Sequence, residues 1–324
     1  MKKVLTVIMS FMLMIFGMVS LVGCKDTDGG IIHIYMPDGA PALAMSKLMY
    51  DNNQFDAEID YTVVSSSNIS NTILNKTADI AILPVNAASK ILGNDYKIVA
   101  TVTNGNLFVV GNKNISSLSD LSGEVIGVIG QGNVPDLNFR YLLSANSIEY
   151  ETSEQTIDGK VAIRYFADAS NLLPLLKQNQ LSFGLLPEPA VSKLLNMATN
   201  FSLELDIQQL WDGGSYPQAV MVAKTSLIED NSELIESIIE EMKNNQDWAK
   251  NNPAEAVTAI NNNLEEGVVA SLQSTISSTA IDNCNIKIYN TKEDSEKSRI
   301  KSYWEKIKTV NSAAIGNYTD NLFW

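Results

Sequence analysis

The sequence predicts an α/β protein built as two lobes. Runs of β-branched residues alternate with amphipathic helical segments across short loops, the pattern of βαβ units and largely parallel sheets. The alternation runs once from Ile31 to Val110 and again from Ser119 to Ala223. The chain beyond Ser226 is almost all helical, with no linker before it, so it is expected to return and pack on the first lobe.

In the first series, strands are expected at Ile31–Tyr35, Ala57–Val64, Asp79–Leu83, Lys97–Val102 and Leu107–Val110. Pro37-Asp38-Gly39-Ala40-Pro41 breaks the first, and Ala42–Tyr50 reads as a helix by its apolar and polar faces. Ser65-Ser66-Ser67-Asn68 is a cluster of N-cap residues ahead of a helix at Ile69–Asn75. Pro84-Val85-Asn86 opens another helix, which Gly93-Asn94 closes. In the second series the strands are Val125–Ile129, Val161–Phe166, Leu181–Leu186, Ser202–Leu210 and Ala219–Ala223. The helices are Pro135–Asn146, Asp168–Gln178 and Glu188–Met197. The tail reads as helices at Ser232–Asn252, Pro253–Asn262, Glu265–Ser274 and Asp294–Val310, with a short strand at Asn285–Tyr289.

Composition bounds the function. The chain has 324 residues, 23 Lys+Arg against 37 Asp+Glu, one His and two Cys. A net charge of −14 argues against nucleic acid as a partner. His33, Cys24 and Cys284 cannot between them build a His/Cys zinc site or a disulfide scaffold. No cofactor is expected: there is no GxxxxGK[ST] loop, and Gly130-Gln131-Gly132 lacks the third Gly of a dinucleotide fingerprint.

The N-terminus reads as an export signal over residues 1–23, with Lys2-Lys3 ahead of an uncharged stretch from Val4 to Gly23. That stretch is nearly long enough to span a bilayer, so an uncleaved anchor is the competing reading. Leu21-Val22-Gly23-Cys24, followed at once by polar residues, resembles the lipobox of bacterial lipoproteins, which implies cleavage before a lipidated Cys24. Residues 24–30 then form a short tether, and Cys284 is a small buried core residue.

In open α/β sheets, ligands bind outside the carboxyl ends of the strands, where loops lead into helix N-termini. Those loops carry Asp38 and Gly39, then Ser65, Ser66 and Ser67, then Asn86, then Gln131, Gly132 and Asn133, then Asp168 and Glu188. Their free backbone N–H groups, hydroxyls and amides suit a polar or anionic head on a small molecule. Each residue taken alone is also an ordinary cap or turn residue. Trp211, ahead of Asp212-Gly213-Gly214-Ser215-Tyr216, is a candidate pocket wall, with packing under its own loop as the alternative. Arg occurs only at Arg140, Arg164 and Arg299, none in a candidate loop.

Several segments together resemble the extracytoplasmic solute-binding proteins of ABC importers. They are the Leu21–Cys24 lipobox, Pro37-Asp38-Gly39-Ala40-Pro41-Ala42-Leu43-Ala44, Ala78-Asp79-Ile80-Ala81-Ile82-Leu83-Pro84 and Leu185-Leu186-Pro187-Glu188-Pro189-Ala190. The group that binds sulfonates, nitrate or thiamine-pyrimidine precursors is the best match. Its C-terminal Gly-x-x-Pro-Asp-x-x-Phe-Tyr pattern is approached by Gly316–Trp324, with Thr319 for Pro and Trp324 for Tyr. The resemblance implies a type II clamshell, each lobe a mixed sheet flanked by helices. Lobe 1 would be 31–106 plus 220–324 and lobe 2 would be 107–219, with crossovers near Asn104–Phe108 and Pro217–Val222. It further implies a non-catalytic monomer, held on the extracytoplasmic face of the cell membrane by the Cys24 lipid. This monomer would bind a small sulfonate-like or heterocyclic solute by hinge closure and deliver it to permease and ATPase subunits. An enzyme resembling chorismate-derivative dehydratases, or a surface sensor or adhesin, are the alternatives.

Metabolic labelling with a fatty-acid analogue is expected to mark the wild-type protein and not Cys24→Ala. Equal labelling of the two would show that no lipid sits at this residue.

Overall fold

The computed structural model describes residues 30–52, 54–272 and 276–324. The export signal, Cys24 and nearly all of the tether lie outside them. Among the described residues, no helix is long and apolar enough to cross a membrane.

Two six-stranded mixed sheets organise the chain. The first contains β1 (Ile32–Pro37), β2 (Ile59–Val64), β3 (Ile80–Pro84), β4 (Tyr96–Asn104), β11 (Pro217–Lys224) and β12 (Ile286–Asn290), in the order β12-β4-β11-β3-β1-β2. The second contains β5 (Leu107–Gly111), β6 (Val125–Ile129), β7 (Tyr150–Thr152), β8 (Val161–Phe166), β9 (Phe183–Pro187) and β10 (Ser202–Asp206), in the order β10-β5-β9-β6-β8-β7. β2, β1 and β3 run parallel, as do β7, β8, β6 and β9. β11 is antiparallel to both β3 and β4, and β5 is antiparallel to both β9 and β10. Strands buried on both faces explain the continuous apolar runs Ile80–Leu83 and Val220–Ala223.

Helices α1 (Ala40–Leu43), α2 (Ser46–Asp51), α3 (Ile69–Leu74) and α4 (Val85–Ile91) come after the first strands. The second sheet is flanked by α5 (Val134–Ala145), α6 (Ala169–Lys177) and α7 (Ala190–Met197). The tail supplies α8 (Thr225–Asp230), α9 (Ser232–Lys243), α10 (Asn245–Asn251), α11 (Pro253–Asn262), α12 (Ser278–Asn283) and α13 (Asp294–Lys308). Residues of α9–α12 share one apolar core with α1, α2 and the first sheet.

Several expected elements differ, each for an identifiable reason. The helix expected at Ala42–Tyr50 is broken at Met45, and that expected at Ser232–Asn252 is broken at Asn244. One buried residue at the second break accounts for the first. Asn245 donates to the Leu43 carbonyl at 2.5 Å and accepts from Lys47 N at 2.7 Å, so it serves the free backbone groups between α1 and α2. Ser202–Leu210 is strand only to Asp206. The Asp206 carboxylate accepts from Gln208 N at 3.0 Å and starts a tight 3-10 turn over Ile207–Leu210. Glu265–Ser274 is expected as a helix, but its described residues form an extended loop, and Gly267 has φ +87°. Cys284 is buried and unpaired, and burial pushes its thiol pKa up.

Near the C-terminus, Trp324 N donates to the Ile98 carbonyl at 3.0 Å, and Phe323 packs on Trp304 of α13. Gly316 crosses α4 so closely that a Cβ there would collide with the Ser89 carbonyl and lie 3.0 Å from Lys90 Cα. Gly316→Ala is therefore expected to lower stability by about 1–3 kcal/mol in urea unfolding. An unchanged midpoint would mean that the 312–324 segment docks more loosely than this contact requires.

Candidate functional site

The carboxyl ends of the parallel strands of both sheets open onto one cavity of about 400 Å³. From the first sheet come Pro37–Pro41 after β1, Ser65–Ser67 after β2 and Pro84 after β3. From the second come Ile129, Gly130 and Asn133–Pro135 after β6, Ala167–Ser170 after β8 and Pro187–Ala190 after β9. Asn106 and Gln218 line its floor, where the chain passes between the sheets, and Gln218 Nε2 donates to Asn106 Oδ1 at 2.6 Å.

Of the residues singled out by sequence, Asp38, Gly39, Ser65, Ser66, Ser67, Asn133, Asp168 and Glu188 line this cavity. Asp38 is held from two sides: its carboxylate accepts from Gly39 N at 2.8 Å and from Ser271 N at 2.6 Å. Burial raises its pKa above the ordinary 3.8, and the backbone donors and the Lys193 charge oppose that rise. Ser65 and Ser67 face each other, with their hydroxyls 3.0 Å apart. Asp168 caps α6, accepting from Ser170 Oγ at 2.6 Å and Asn171 N at 3.2 Å.

The Gly130–Asn133 turn is set from below by Asp136, a buried carboxylate on α5. It accepts from Gly132 N at 2.8 Å and Tyr165 OH at 2.7 Å, and Arg140 Nε lies 3.2 Å away. Gly130 and Gly132 take φ +64° and +77°, which favours glycine at both positions. Asn133 and Gly130 thereby reach the cavity, while Gln131 and Gly132 are not among its lining residues. Asn86 is not among them either. It is buried on α4, and its Nδ2 lies 3.4 Å from the Gly132 carbonyl, so it ties the two sides together behind the cavity wall.

Trp211 requires a correction. It is 5% exposed, does not line the cavity, and stacks on Tyr141 with ring centroids 4.6 Å apart. Tyr216 at 5.1 Å and Tyr303 at 5.5 Å complete the surrounding cluster. Four large rings bury one another more fully than a cleft wall would permit, so Trp211 packs in the core.

Two parts of the lining are not evident from sequence. The Gly267–Ser271 loop is masked by its helical pattern, yet it lies against Asp38. Lys193 lies on α7, one turn past Pro189, where no loop signal marks it, and it is the one lysine in the lining. Among the described residues, no aromatic side chain lines the cavity; prolines, alanines, Ile129, Leu173, Val134, Val268 and Val269 supply its apolar surface. Among the described residues, no His/Cys/Asp/Glu group is arranged to hold a metal.

Glu188 is 3% exposed and accepts from Ser192 N and Ser192 Oγ, both at 3.0 Å. Burial nevertheless raises its pKa above the ordinary 4.5. A carboxyl raised on folding binds more protons in the native state, so its contribution to stability falls as pH rises through that window. The stability of wild type relative to Glu188→Gln is expected to fall as pH rises from about 4.5 to neutrality. A relative stability that grows with pH would show that the Ser192 bonds outweigh the burial.

The fold is shared with solved ABC-transport proteins. An ABC transporter protein from Parabacteroides distasonis superposes with a TM-score of 0.72 at 17% identity, over 91% of this chain and 98% of that one. The periplasmic aliphatic sulphonate binding protein of Escherichia coli gives 0.64 at 11%, over 91% and 92%. The ligand binding component of an ABC-type import system from Staphylococcus aureus, with zinc bound, gives 0.62 at 11%, over 91% and 96%. At these identities the likeness establishes the architecture, a two-lobed periplasmic-binding-protein fold with a mixed sheet in each lobe. No curated protein matches the sequence. The profile of the NMT1/THI5-like family matches residues 57–256, well over half of the chain, and the protein belongs to that family.

Proposed function

We propose that this protein is the extracytoplasmic solute-binding component of an ABC importer, anchored through lipid on Cys24. The observation that carries the reading is the cavity itself. Loops from both sheets converge on about 400 Å³, within the range of small-molecule sites, at a place where closing the lobes would enclose a ligand. In this reading lobe 1 comprises residues 31–106 and 220–324, lobe 2 comprises 107–219, and the lobes close as a hinge over the solute. The protein acts as a monomer, performs no chemistry, and hands its cargo to permease and ATPase subunits.

The lining narrows the cargo. Family members that take pyrimidines have aromatic-rich clefts, whereas this lining is aliphatic and proline-rich. Hydroxyls at Ser65–Ser67, the Asn133 amide and the backbone donors nearby favour a compact aliphatic body with a polar or singly charged head, sulfonate-like in kind. The structural likeness to a sulphonate binding protein supports the same reading.

Native mass spectrometry of the gently purified protein is expected to release a retained small organic solute. Protein that is empty, and whose melting temperature does not rise with any alkanesulfonate offered, would contradict the proposal. With the identified solute, Ser66→Ala and Asn133→Ala are each expected to weaken binding about ten- to hundredfold in calorimetry, the loss of one bond to a charged head. Wild-type affinity in both variants would move the site elsewhere.

A further inference from the structure

The residues between Leu264 and Ser271 form a strap pinned to the first sheet at both ends. At its start, Val63 N donates to the Asn263 carbonyl at 2.7 Å, and Glu265 N donates to the Val63 carbonyl at 2.9 Å. At its end, Ser271 N donates to Asp38 at 2.6 Å. Between these anchors the strap runs along the cavity, with Val269 74% exposed. From the opposite side, Lys193 on α7 reaches it, and its Nζ donates to the Ala270 carbonyl at 3.3 Å.

The charges lining the cavity are satisfied unequally. Glu188 is bound by Ser192, Asp38 by two backbone N–H groups, and Asp168 by the start of α6. Each carboxylate thus already has donors of its own. Lys193 is half-buried, meets a neutral carbonyl, and among the described residues forms no ion pair. An ammonium carries three donors, so the Ala270 bond leaves two unused. The Asp38 carboxylate acts on Lys193 only from beyond ion-pair distance, so an anion entering the cavity would supply the close counter-charge that the ammonium lacks.

We propose that Lys193 is the specificity-determining residue of this site, pairing with the anionic head of the ligand while holding the 264–271 strap to the second lobe. Ligand capture and covering of the cleft are then coupled through one side chain. The strap stays pinned to the first sheet by Val63 and Asp38, and Lys193 closes the circuit across the gap. A neutral ligand of the same shape would leave the cation unpaired and bind more weakly, so the selection is for charge as well as size.

The proposal rests on the reading of the cleft as a solute site, and one set of measurements separates the two. Butane-1-sulfonate is titrated calorimetrically into the full protein purified in detergent. Wild type is expected to bind, Lys193→Met to bind at least about tenfold more weakly, and Lys193→Arg to keep most of the affinity. Hydrogen exchange of the Val268–Ser271 amides is measured in the same samples without the sulfonate, and is expected to be faster in Lys193→Met than in wild type. If wild type does not bind, the solute reading fails for this head group and the pairing fails with it. If wild type and Lys193→Met bind equally, the pairing alone fails and the solute reading stands. Unchanged exchange at the strap overturns the latch.

Discussion

The stacking of Trp211 against Tyr141, Tyr216 and Tyr303 is the contact through which two separately built sheets become one molecule. Tyr141 lies on α5 beside the second sheet, and Tyr303 lies on α13, whose neighbour Trp304 is buried against α4 below the first. Asn138 of α5 adds a hydrogen bond to Tyr303 OH at 3.1 Å. The resulting apolar core is continuous from Val64 and Leu83 on one side to Val128 and Phe183 on the other. Each aromatic pair contributes about 0.5–1.5 kcal/mol beyond the area it buries. The cluster therefore ties α5 of the second sheet to α13, which packs below the first.

Beside this cluster, the chain passes between the sheets in two neighbouring extended segments that are bonded to each other. Gly105 N donates to the Tyr216 carbonyl at 2.9 Å, and Asn106 N donates to Gln218 Oε1 at 3.3 Å. A Cβ on Gly105 would lie 2.6 Å from the Tyr216 ring, so the close approach requires glycine. The two connections are thus held to each other by backbone and side-chain bonds. Cavity residues and core residues are different sets: the loops at the strand ends line the cavity, while the large rings lie beside the connections between the sheets.

Much of this is legible from the chain alone, wherever local signals and tertiary context agree. Val125–Ile129 and Val161–Phe166 form strands over the residues expected, because β-branched runs bounded by turns have few other outcomes. The loop residues that line the cavity are identifiable because they come directly after parallel strands. The larger failures originate in contacts between distant residues. Asn245 breaks a helix some 200 residues upstream, and the hold of Val63 and Asp38 on 263–271 overrides that segment's helical pattern. The strand Tyr150–Thr152 pairs only at a sheet edge and carries little apolar signal. Trp211 is ambiguous in sequence because a ring beside a Gly-Gly turn can face inward or outward, and only its three aromatic neighbours decide. Lys193 sits within a helix, where no turn or cap marks it.

The position of β12 bears on how the protein is assembled. β4 is synthesised early, yet its outer edge is covered by a strand made much later; Thr101, on β4, bonds Glu296 from 195 residues away. β11, which separates β4 from β3, also arrives late. Until β11 and β12 are available, β4 lacks both of its sheet neighbours and β3 has an open edge. Such edges invite pairing with other chains, and long loop closures slow the search for native partners. The second sheet, drawn wholly from residues 107–206, has no such wait. It can form first and offer the α5 surface on which α13 later lands, bringing β12 with it.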